Sequence, residues 1–201
     1  MDVWQIKGHT LEYDDDEHVY LVDGVIVPSV TQLLQAKFKN KYDKVSPEVL
    51  NRAAERGTAI HKAVEDYCIK GVVVCKEVSN FRFLERKYNF TPIENESPVI
   101  LFKNNKPVAA GRFDLLLYID NEIALADIKT TSTLDKTYLA YQLNLYKLAY
   151  EQCYLYTKIN RPIKKLYGIH LRDDKRKMVE IPINEDIAWG VIEQYERSRH
   201  E

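Results

Sequence analysis

Short apolar runs alternate with turn residues at the start of the chain. Residues 10–27 contain three such runs, and Asp23-Gly24 between the last two is a strong signal for a tight hairpin turn. Ser29 follows the runs and is placed to cap a short helix. The pattern predicts an N-terminal β-hairpin extension over about residues 1–35.

Longer segments with apolar residues at helical spacing come next. Ser46 and Pro47 are typical of a helix start, and Gly71 is typical of a helix end. Pro92 limits the following helix. The predicted helices cover residues 46–70, 78–89, 135–156 and the C-terminal segment that begins at Asn184.

Strand-like patterns occupy the two remaining segments. Three strands are expected between Val99 and Lys129, separated by turns at NNKP and DNE, and two more flank Asp173-Asp174. Strands that alternate with helices favour a single domain over residues 1–201. The predicted fold class is α/β, with a mixed central β-sheet flanked by helices.

The composition is that of an ordinary globular chain. Of 201 residues, 45% are hydrophobic and 29% are charged, and no apolar run approaches the length that spans a bilayer. The N-terminus lacks the basic start and apolar block of a signal peptide, so we expect a cytoplasmic location and no membrane partner. The scattered cysteines, Cys68, Cys75 and Cys153, argue against a disulfide framework and an iron–sulfur cluster.

The net charge of −1 does not by itself indicate a nucleic-acid partner, but the charges are unevenly distributed. Residues 158–177 carry eight basic and two acidic side chains, and residues 37–44 are also basic. Local basic surface can hold a phosphate backbone even on a neutral protein. A solvated loop and hairpin explains the longer basic stretch equally well.

The segment LADIKTTS places Asp127 and Lys129 two residues apart at the end of a predicted apolar strand, so both side chains point to the same face. They form either a surface ion pair, which contributes little stability, or half of a catalytic site. The D-x-K spacing alone is weak evidence, because the chain repeats it at Asp173-Asp174-Lys175.

A second acid, Asp114, interrupts the apolar strand AAGRFDLLLYI. A buried carboxylate must be paired, hydrogen-bonded or bound to a metal. Adjacent strands would bring Asp114 and Asp127 together, and a hard divalent cation with oxygen ligands would relieve their repulsion. The alternative is a structural salt bridge from Asp114 to Arg112 or Lys129.

Two helices add polar pairs at one-turn spacing. His61 and Glu65 stack on one helix face, and imidazole is a good ligand for manganese-like ions. An ordinary hydrogen-bonded histidine is an equally good interpretation of His61. Gln142 and Tyr146 lie four residues apart in a tyrosine-rich stripe, which is typical of a core. A buried Gln142 amide needs partners and could reach a phosphate or hold a catalytic side chain.

Four motifs taken together resemble a known family. RGTAIHKAVED, AAGRFDLLL, LADIKTTS and YQLNLY are similar, in order and spacing, to the RecB-type exonuclease branch of the PD-(D/E)xK nuclease superfamily. VPSVTQLLQ also resembles a segment that precedes this core in phage-type exonucleases and in the mitochondrial genome maintenance exonuclease. The resemblance spans about residues 18–150 and implies a restriction-endonuclease-like core.

The resemblance implies a metal centre and a catalytic lysine. His61, Asp114 and Asp127 match the family's metal ligands. The backbone carbonyl of Ile128 completes the implied ligand set, and Lys129 matches the catalytic lysine. The implied cofactor is Mg²⁺ or Mn²⁺, without the iron–sulfur cluster that some members carry.

Three further positions are implied near the reaction. Glu65 falls where family members often place a carboxylate behind the metal ligands or at a second metal, and Gln142 and Tyr146 match the Q-x-x-x-Y helix motif. The expected activity is metal-dependent hydrolysis of DNA, by an exonuclease acting on single strands or DNA ends in recombination, repair or phage DNA processing. An endonuclease or flap nuclease is one alternative, and a catalytically inactive DNA-binding module on the same fold is another.

DNA is therefore the expected partner, in a bacterial or phage-infected cell. The chain contains no helicase motif, so a helicase or recombination protein would be a separate chain. We expect phosphate contacts from residues in the basic stretches and next to the motifs, namely Lys37, Lys39, Lys41, Arg56, Arg112, Thr130, Lys164 and Lys165.

Overall fold

Two β-sheets and five helices form the part of the chain that the computed structural model describes: residues 1–39, 41, 43, 45–155, 157, 158 and 161–199. The N-terminal sheet contains β1 (Asp2–Ile6), β2 (His9–Asp14), β3 (Val19–Val22) and β4 (Val25–Val27). The central sheet contains β5 (Thr91–Lys103), β6 (Lys106–Ile119), β7 (Glu122–Lys129), β8 (Ile163–Arg172) and β9 (Lys175–Ile181). The helices are α1 (Val30–Lys37), α2 (Pro47–Lys70), α3 (Lys76–Tyr88), α4 (Lys136–Tyr154) and α5 (Glu185–Ser198).

The central sheet is mixed and follows the order β5-β6-β7-β8-β9. Its strands are antiparallel except for β7 and β8, which are parallel and are connected through α4. A parallel pair needs such a crossover, because the chain must return to the same end of the sheet. The predicted α/β fold class, with a mixed sheet flanked by helices, is confirmed.

The N-terminal extension is larger than predicted, because β1 precedes the three predicted runs and pairs with β2 in antiparallel orientation. Its tight turns follow the sequence signals. Asp23 and Gly24 both have positive φ values, 52° and 76°, as a type I′ turn between twisted strands requires. The extension joins the central sheet where the backbone N–H of Ala110 donates a hydrogen bond to the carbonyl of Pro28, at 3.0 Å.

Several predicted boundaries need correction. Helix α3 covers Lys76–Tyr88 rather than 78–89, and β5 begins at Thr91 rather than Val99. Pro92 was expected only to end a helix, yet it lies inside β5. An edge strand tolerates proline, since its outward N–H is not needed for pairing, and β5 is an edge strand. The predicted end of α4 at residue 156 and Lys44 of the basic segment lie outside the described residues.

The central sheet is covered on both faces. One face packs against α4 and reaches α1 and α5, while the other packs against α2 and α3. Strand β7 is therefore buried along nearly its whole length, and it delivers Asp127 into the interior. None of the helices in the described ranges is both long and apolar enough to cross a lipid bilayer.

Gly168 of β8 marks a place where α4 presses against the sheet. A Cβ atom added to Gly168 would lie 2.3 Å from Cδ2 of the fully buried Leu139. We expect Gly168→Ala to lower the free energy of unfolding by about 2 kcal/mol, because an overpacked core must shift. Urea denaturation measures the change.

The matched control is Gly190→Ala in α5, where an added Cβ atom meets nothing within 4 Å. The free energy of unfolding of this variant should equal that of the wild-type protein or exceed it by up to about 1 kcal/mol, because alanine favours the helix more than glycine does. Equal stability of the two variants would contradict the close packing of α4 on β8.

Candidate active site

The central sheet splits at the end of β7. Strands β6 and β7 pair from Ile119–Glu122 to Leu115–Ala126 and then separate, while β6 continues to pair with β5 and β7 continues to pair with β8. At this fork, Oδ2 of Asp114 accepts a hydrogen bond of 2.6 Å from the backbone N–H of Ile128. The Asp114 carboxylate thus bridges the two separating strands.

Three carboxylates meet at the fork. The register of β5 on β6, through the pairs Asn95–Leu115 and Ser97–Phe113, places Glu96 opposite Asp114. Asp127 directly follows the last β6–β7 pair, so it lies on the other side of Asp114. The side chains of Asp114 and Asp127 are only 12% and 2% exposed. Because neighbouring carboxylates repel each other, this arrangement requires positive charge.

His61 of α2 supplies part of that charge. Its Nε2 lies 3.1 Å from the carbonyl oxygen of Ile128, and since a carbonyl can only accept, Nε2 carries the proton. The other ring nitrogen, Nδ1, then faces Oδ1 of Asp114 at 3.5 Å and Oε1 of Glu96 at 3.7 Å. A histidine whose second nitrogen donates to a backbone carbonyl is the usual arrangement of a metal ligand.

Lys129 supplies the remaining charge. Its Nζ lies 2.5 Å from Oδ2 of Asp127, so the two residues of the D-x-K segment form an ion pair at the buried end of β7. Burial and the charge of Asp114 nevertheless raise the pKa of Asp127 to about 6, although Lys129 opposes the shift. For His61, burial would lower the pKa, but the neighbouring carboxylates, first of all Asp114, raise it to about 11.

One group of side chains in the described part of the chain could hold a metal ion. One ligand atom each from His61, Glu96 and Asp114 lie within 4.8 Å of one another. An imidazole nitrogen with two carboxylate oxygens suits Mn²⁺ well and Mg²⁺ acceptably. The donor set, its partial burial and the surplus of carboxylates therefore fit a hard divalent cation.

The expected ligand set is only partly assembled. The structure brings His61 and Asp114 together as predicted, but Asp127 contacts Lys129 and is not a member of the group. The Ile128 carbonyl, predicted as a ligand, accepts the hydrogen bond from His61. Glu96 is the third member of the metal-binding group. It was not predicted from the sequence, because β5 was expected to begin after it.

Glu96 also has an unusual backbone conformation. Its φ value of 45° lies in the left-handed region, which costs a residue other than glycine roughly 1–2 kcal/mol. Residues held in such conformations are concentrated at functional sites, where the surrounding structure enforces them. The other nine non-glycine residues with positive φ in the described part of the chain lie in turns or at a helix end, whereas Glu96 lies inside β5. This position makes Glu96 a candidate functional residue.

Helix α4 lies on the opposite side of the fork. Tyr146 is buried against Gly111, and burial, together with Tyr20 and Asp114, raises its pKa well above the usual value for tyrosine. Oε1 of Gln142 is buried and has no hydrogen-bond partner among the described residues. Both residues of the Q-x-x-x-Y motif are therefore close to the core, and Gln142 keeps an acceptor available.

Glu65 lies farther along α2 and does not join the metal-binding group. Its Oε2 accepts a hydrogen bond of 2.9 Å from Nζ of Lys62. Together with His61 and Glu96, it lines a cavity of about 900 Å³. Its expected role at a second metal stays a prediction.

Five of the eight residues expected to contact phosphate pair with other side chains of the protein. The pairs are Lys37 with Gln194, Lys41 with Asp135, Arg56 with Glu77 and Asp173, Arg112 with Asp2, and Lys165 with Asp120. Lys39 and Lys164 are exposed, and the carbonyl of Thr130 accepts a hydrogen bond from Arg172. Arg112 alone of the predicted basic contacts lines the cavity beside His61. The phosphate contacts of all eight residues stay predictions.

Comparisons with known proteins give no functional assignment. No protein-family model matches this chain, and no curated protein matches it significantly. Among solved structures, the chain is similar to one described as "Crystal structure of SSO0001", with 16% sequence identity and a TM-score of 0.49. That similarity covers 87% of this chain and 75% of the other, and at this level it carries no argument about function.

We expect Glu96→Gly to separate stability from ion binding. Without divalent ions, the free energy of unfolding of the variant should be about 1 kcal/mol higher than that of the wild-type protein. Glycine tolerates the left-handed conformation, and one repelling charge is lost. The stabilisation of the wild-type protein by Mn²⁺ should largely disappear in the variant. Thermal unfolding with chelator and with MnCl₂ measures both effects.

Lys7→Gly is the control for strain alone, since Lys7 has a φ value of 52° in the turn between β1 and β2. In chelator, its free energy of unfolding should rise by a similar amount, and Mn²⁺ should stabilise it as much as it stabilises the wild-type protein. An unchanged Mn²⁺ response in Glu96→Gly would exclude Glu96 as a ligand.

Proposed function

We propose that this chain is a divalent-metal-dependent nuclease that hydrolyses phosphodiester bonds in DNA, most simply as an exonuclease acting on single strands or DNA ends. The observation that carries the proposal is the fork, where a histidine, three carboxylates and a lysine from four elements meet at one buried point. The resemblance to RecB-type nucleases names the same histidine, lysine and two of the carboxylates.

The metal would be held by His61, Asp114 and Glu96, whose ligand atoms already lie close together. When bound, Mg²⁺ or Mn²⁺ supplies positive charge for the phosphate oxygens and Lewis acidity for the attacking water. Asp127 contributes negative charge beside this group and fixes the position of Lys129. The buried charges have a specific use in this arrangement, whereas stability alone would favour apolar residues.

Lys129 is the residue suited to act on the reacting groups. It is the last residue of β7, its side chain is partly exposed, and its ammonium group pairs with Asp127. An ammonium group in this place can orient the attacking water and stabilise the negative charge that develops on the phosphate. The resemblance implies that Gln142 acts near the reaction, and its buried Oε1 is an acceptor without a hydrogen-bond partner among the described residues.

Cytoplasmic action in a bacterial or phage-infected cell, and cooperation with a separate helicase or recombination protein, belong to the same proposal. An endonuclease, a flap nuclease and an inactive DNA-binding module are the competing functions. The presence of both an anchored lysine and a cation-binding group weighs against the inactive module, because binding DNA requires neither.

The purified protein should degrade end-labelled linear DNA when Mg²⁺ or Mn²⁺ is present and should be inactive in chelator. The substrates are linear and circular DNA, each in single- and double-stranded form. Loss of linear DNA alone indicates an exonuclease, and loss of circular DNA as well indicates an endonuclease. Binding of DNA without any cleavage would refute the proposed activity.

Lys129→Ala and Asp127→Ala should each reduce the rate of cleavage by at least about a hundredfold, because they remove the ammonium group or its anchor. Circular dichroism should show the native fold in both variants. Lys70→Ala is the matched control: Lys70 is exposed on α2 and pairs with Asp66, so cleavage should be unchanged. Full activity of Lys129→Ala would remove the catalytic assignment.

A further inference from the structure

Two adjoining cavities lie beside the N-terminal sheet, and together they are called the groove. The 900 Å³ cavity beside His61 and a second cavity of about 450 Å³ share two lining residues, Glu96 and Arg112. The first cavity opens along α2, and the second extends to Tyr13 and Tyr20 of the N-terminal sheet and to α1. The candidate active site therefore communicates with a groove that passes Arg112.

Arg112 is held in place within the groove by an aromatic ring. Its guanidinium carbon lies 5.0 Å from the centre of the Tyr13 ring, and Tyr13 packs on Tyr20 at 4.6 Å between ring centres. The ion pair of Arg112 with Asp2 is long, at 3.4 Å between Nη1 and Oδ2. Arg112 also forms a hydrogen bond with the side chain of Tyr20. The two tyrosines hold the guanidinium group in place, and the rest of its five N–H donors can serve a ligand.

The charge distribution of the groove limits what it can bind. Asp2, Asp15, Glu65 and Glu96 line the larger cavity, where Arg112 and Lys62 are the lysine or arginine side chains among the lining residues. Lys62 is tied to Glu65. A polyanion held along this groove would therefore make few phosphate contacts, and Arg112 is the group placed to make one of them.

The lining of the groove favours one strand over two. Its walls come from different layers, with Asp2 and Asp15 on the N-terminal sheet side and Ala54 and Thr58 on α2. Tyr13, Tyr20 and Arg112 add two aromatic rings and a guanidinium group. The unstacked bases of a single strand can pack on such planes, whereas the bases of a duplex are already stacked and paired.

We propose that Arg112, supported by Tyr13, binds a backbone phosphate of a single-stranded DNA segment that reaches the active site through this groove. The inference rests on the proposed nuclease function and adds the path of the strand and the residue that grips it. Arg112 binds the strand outside the reacting atoms, and Tyr13 and Tyr20 of the N-terminal sheet offer the rings on which its bases can pack.

The test is binding of fluorescently labelled single- and double-stranded oligonucleotides with phosphorothioate linkages, which resist hydrolysis. Fluorescence anisotropy in Mg²⁺ should show tighter binding of the single strand by the wild-type protein. Arg112→Gln should raise the Kd for the single strand about tenfold. It should also make the slope of log K against log salt concentration less negative by about 0.7, which is the loss of one phosphate contact on a single strand.

Arg86→Gln is the matched control, because Arg86 is exposed on α3 and does not line the groove. It should keep the wild-type Kd and slope. If Arg112→Gln behaves like this control while the wild-type protein binds and cleaves DNA, the groove inference is wrong and the nuclease proposal stands. If the wild-type protein neither binds nor cleaves any DNA, the nuclease proposal itself fails.

A second measurement avoids dependence on a folded variant. The wild-type protein is photo-crosslinked to a single strand that carries 5-iododeoxyuridine, and the modified peptide is identified by mass spectrometry. Crosslinks should map to the β2–β3 segment that contains Tyr13 and Tyr20. Crosslinks confined to the basic hairpin of β8 and β9 would overturn the proposed path.

Discussion

The balance of charge at the fork between β6 and β7 determines the rest of the site. Glu96, Asp114 and Asp127 come from three neighbouring strands, and His61 and Lys129 are the cations that oppose them. Buried ion pairs rarely contribute more stability than apolar residues of similar size. Their concentration here supports the proposed metal-dependent chemistry, which uses both signs of charge.

The fork itself depends on the topology of the sheet. Because β7 pairs in parallel with β8 through the α4 crossover, its end remains fixed after it leaves β6. Strand β6 likewise remains fixed by β5 beyond the same point. Two strands that are each held on their outer side can separate without disorder. The carboxylate of Asp114 then enters the gap and satisfies the backbone of Ile128.

Local signals allowed most of the fold to be predicted, since helix caps and hairpin turns are decided by a few neighbouring residues. The caps at Ser29, Gly71 and Asn184 and the turn at Asp23-Gly24 are where the sequence places them. The extent of β5 was missed because an edge position makes Pro92 acceptable, and edge positions are decided by tertiary pairing. Strand β1 was missed for a similar reason. A short edge strand forms only through its pairing with a neighbouring strand, here β2, and that pairing is decided by tertiary structure.

The difference between local signals and tertiary pairing also explains which residues of the site could be predicted from the sequence. Asp114, Asp127 and Lys129 stand out because each is a charge in an apolar strand, and the structure places them at one point. Glu96 gives no such signal, since it lies in a polar segment and becomes a neighbour of Asp114 only through the β5–β6 register. The basic stretches could not be resolved in this way, because charge counts along a sequence cannot show that Lys41 pairs with Asp135 and Lys165 with Asp120. Contacts of these stretches with DNA stay a prediction.

The acidity of the groove has a consequence for how ion and substrate would act together under the proposed function. Without a cation, the carboxylates that line the groove repel a phosphate chain, and one arginine offsets only part of that repulsion. A bound divalent ion removes the opposing charge at the point nearest the fork. Binding of the ion must then favour binding of the strand, and by thermodynamic linkage the strand must favour the ion to the same extent. Under the proposed function, the acidic groove therefore binds the polyanionic substrate weakly until the divalent ion is bound.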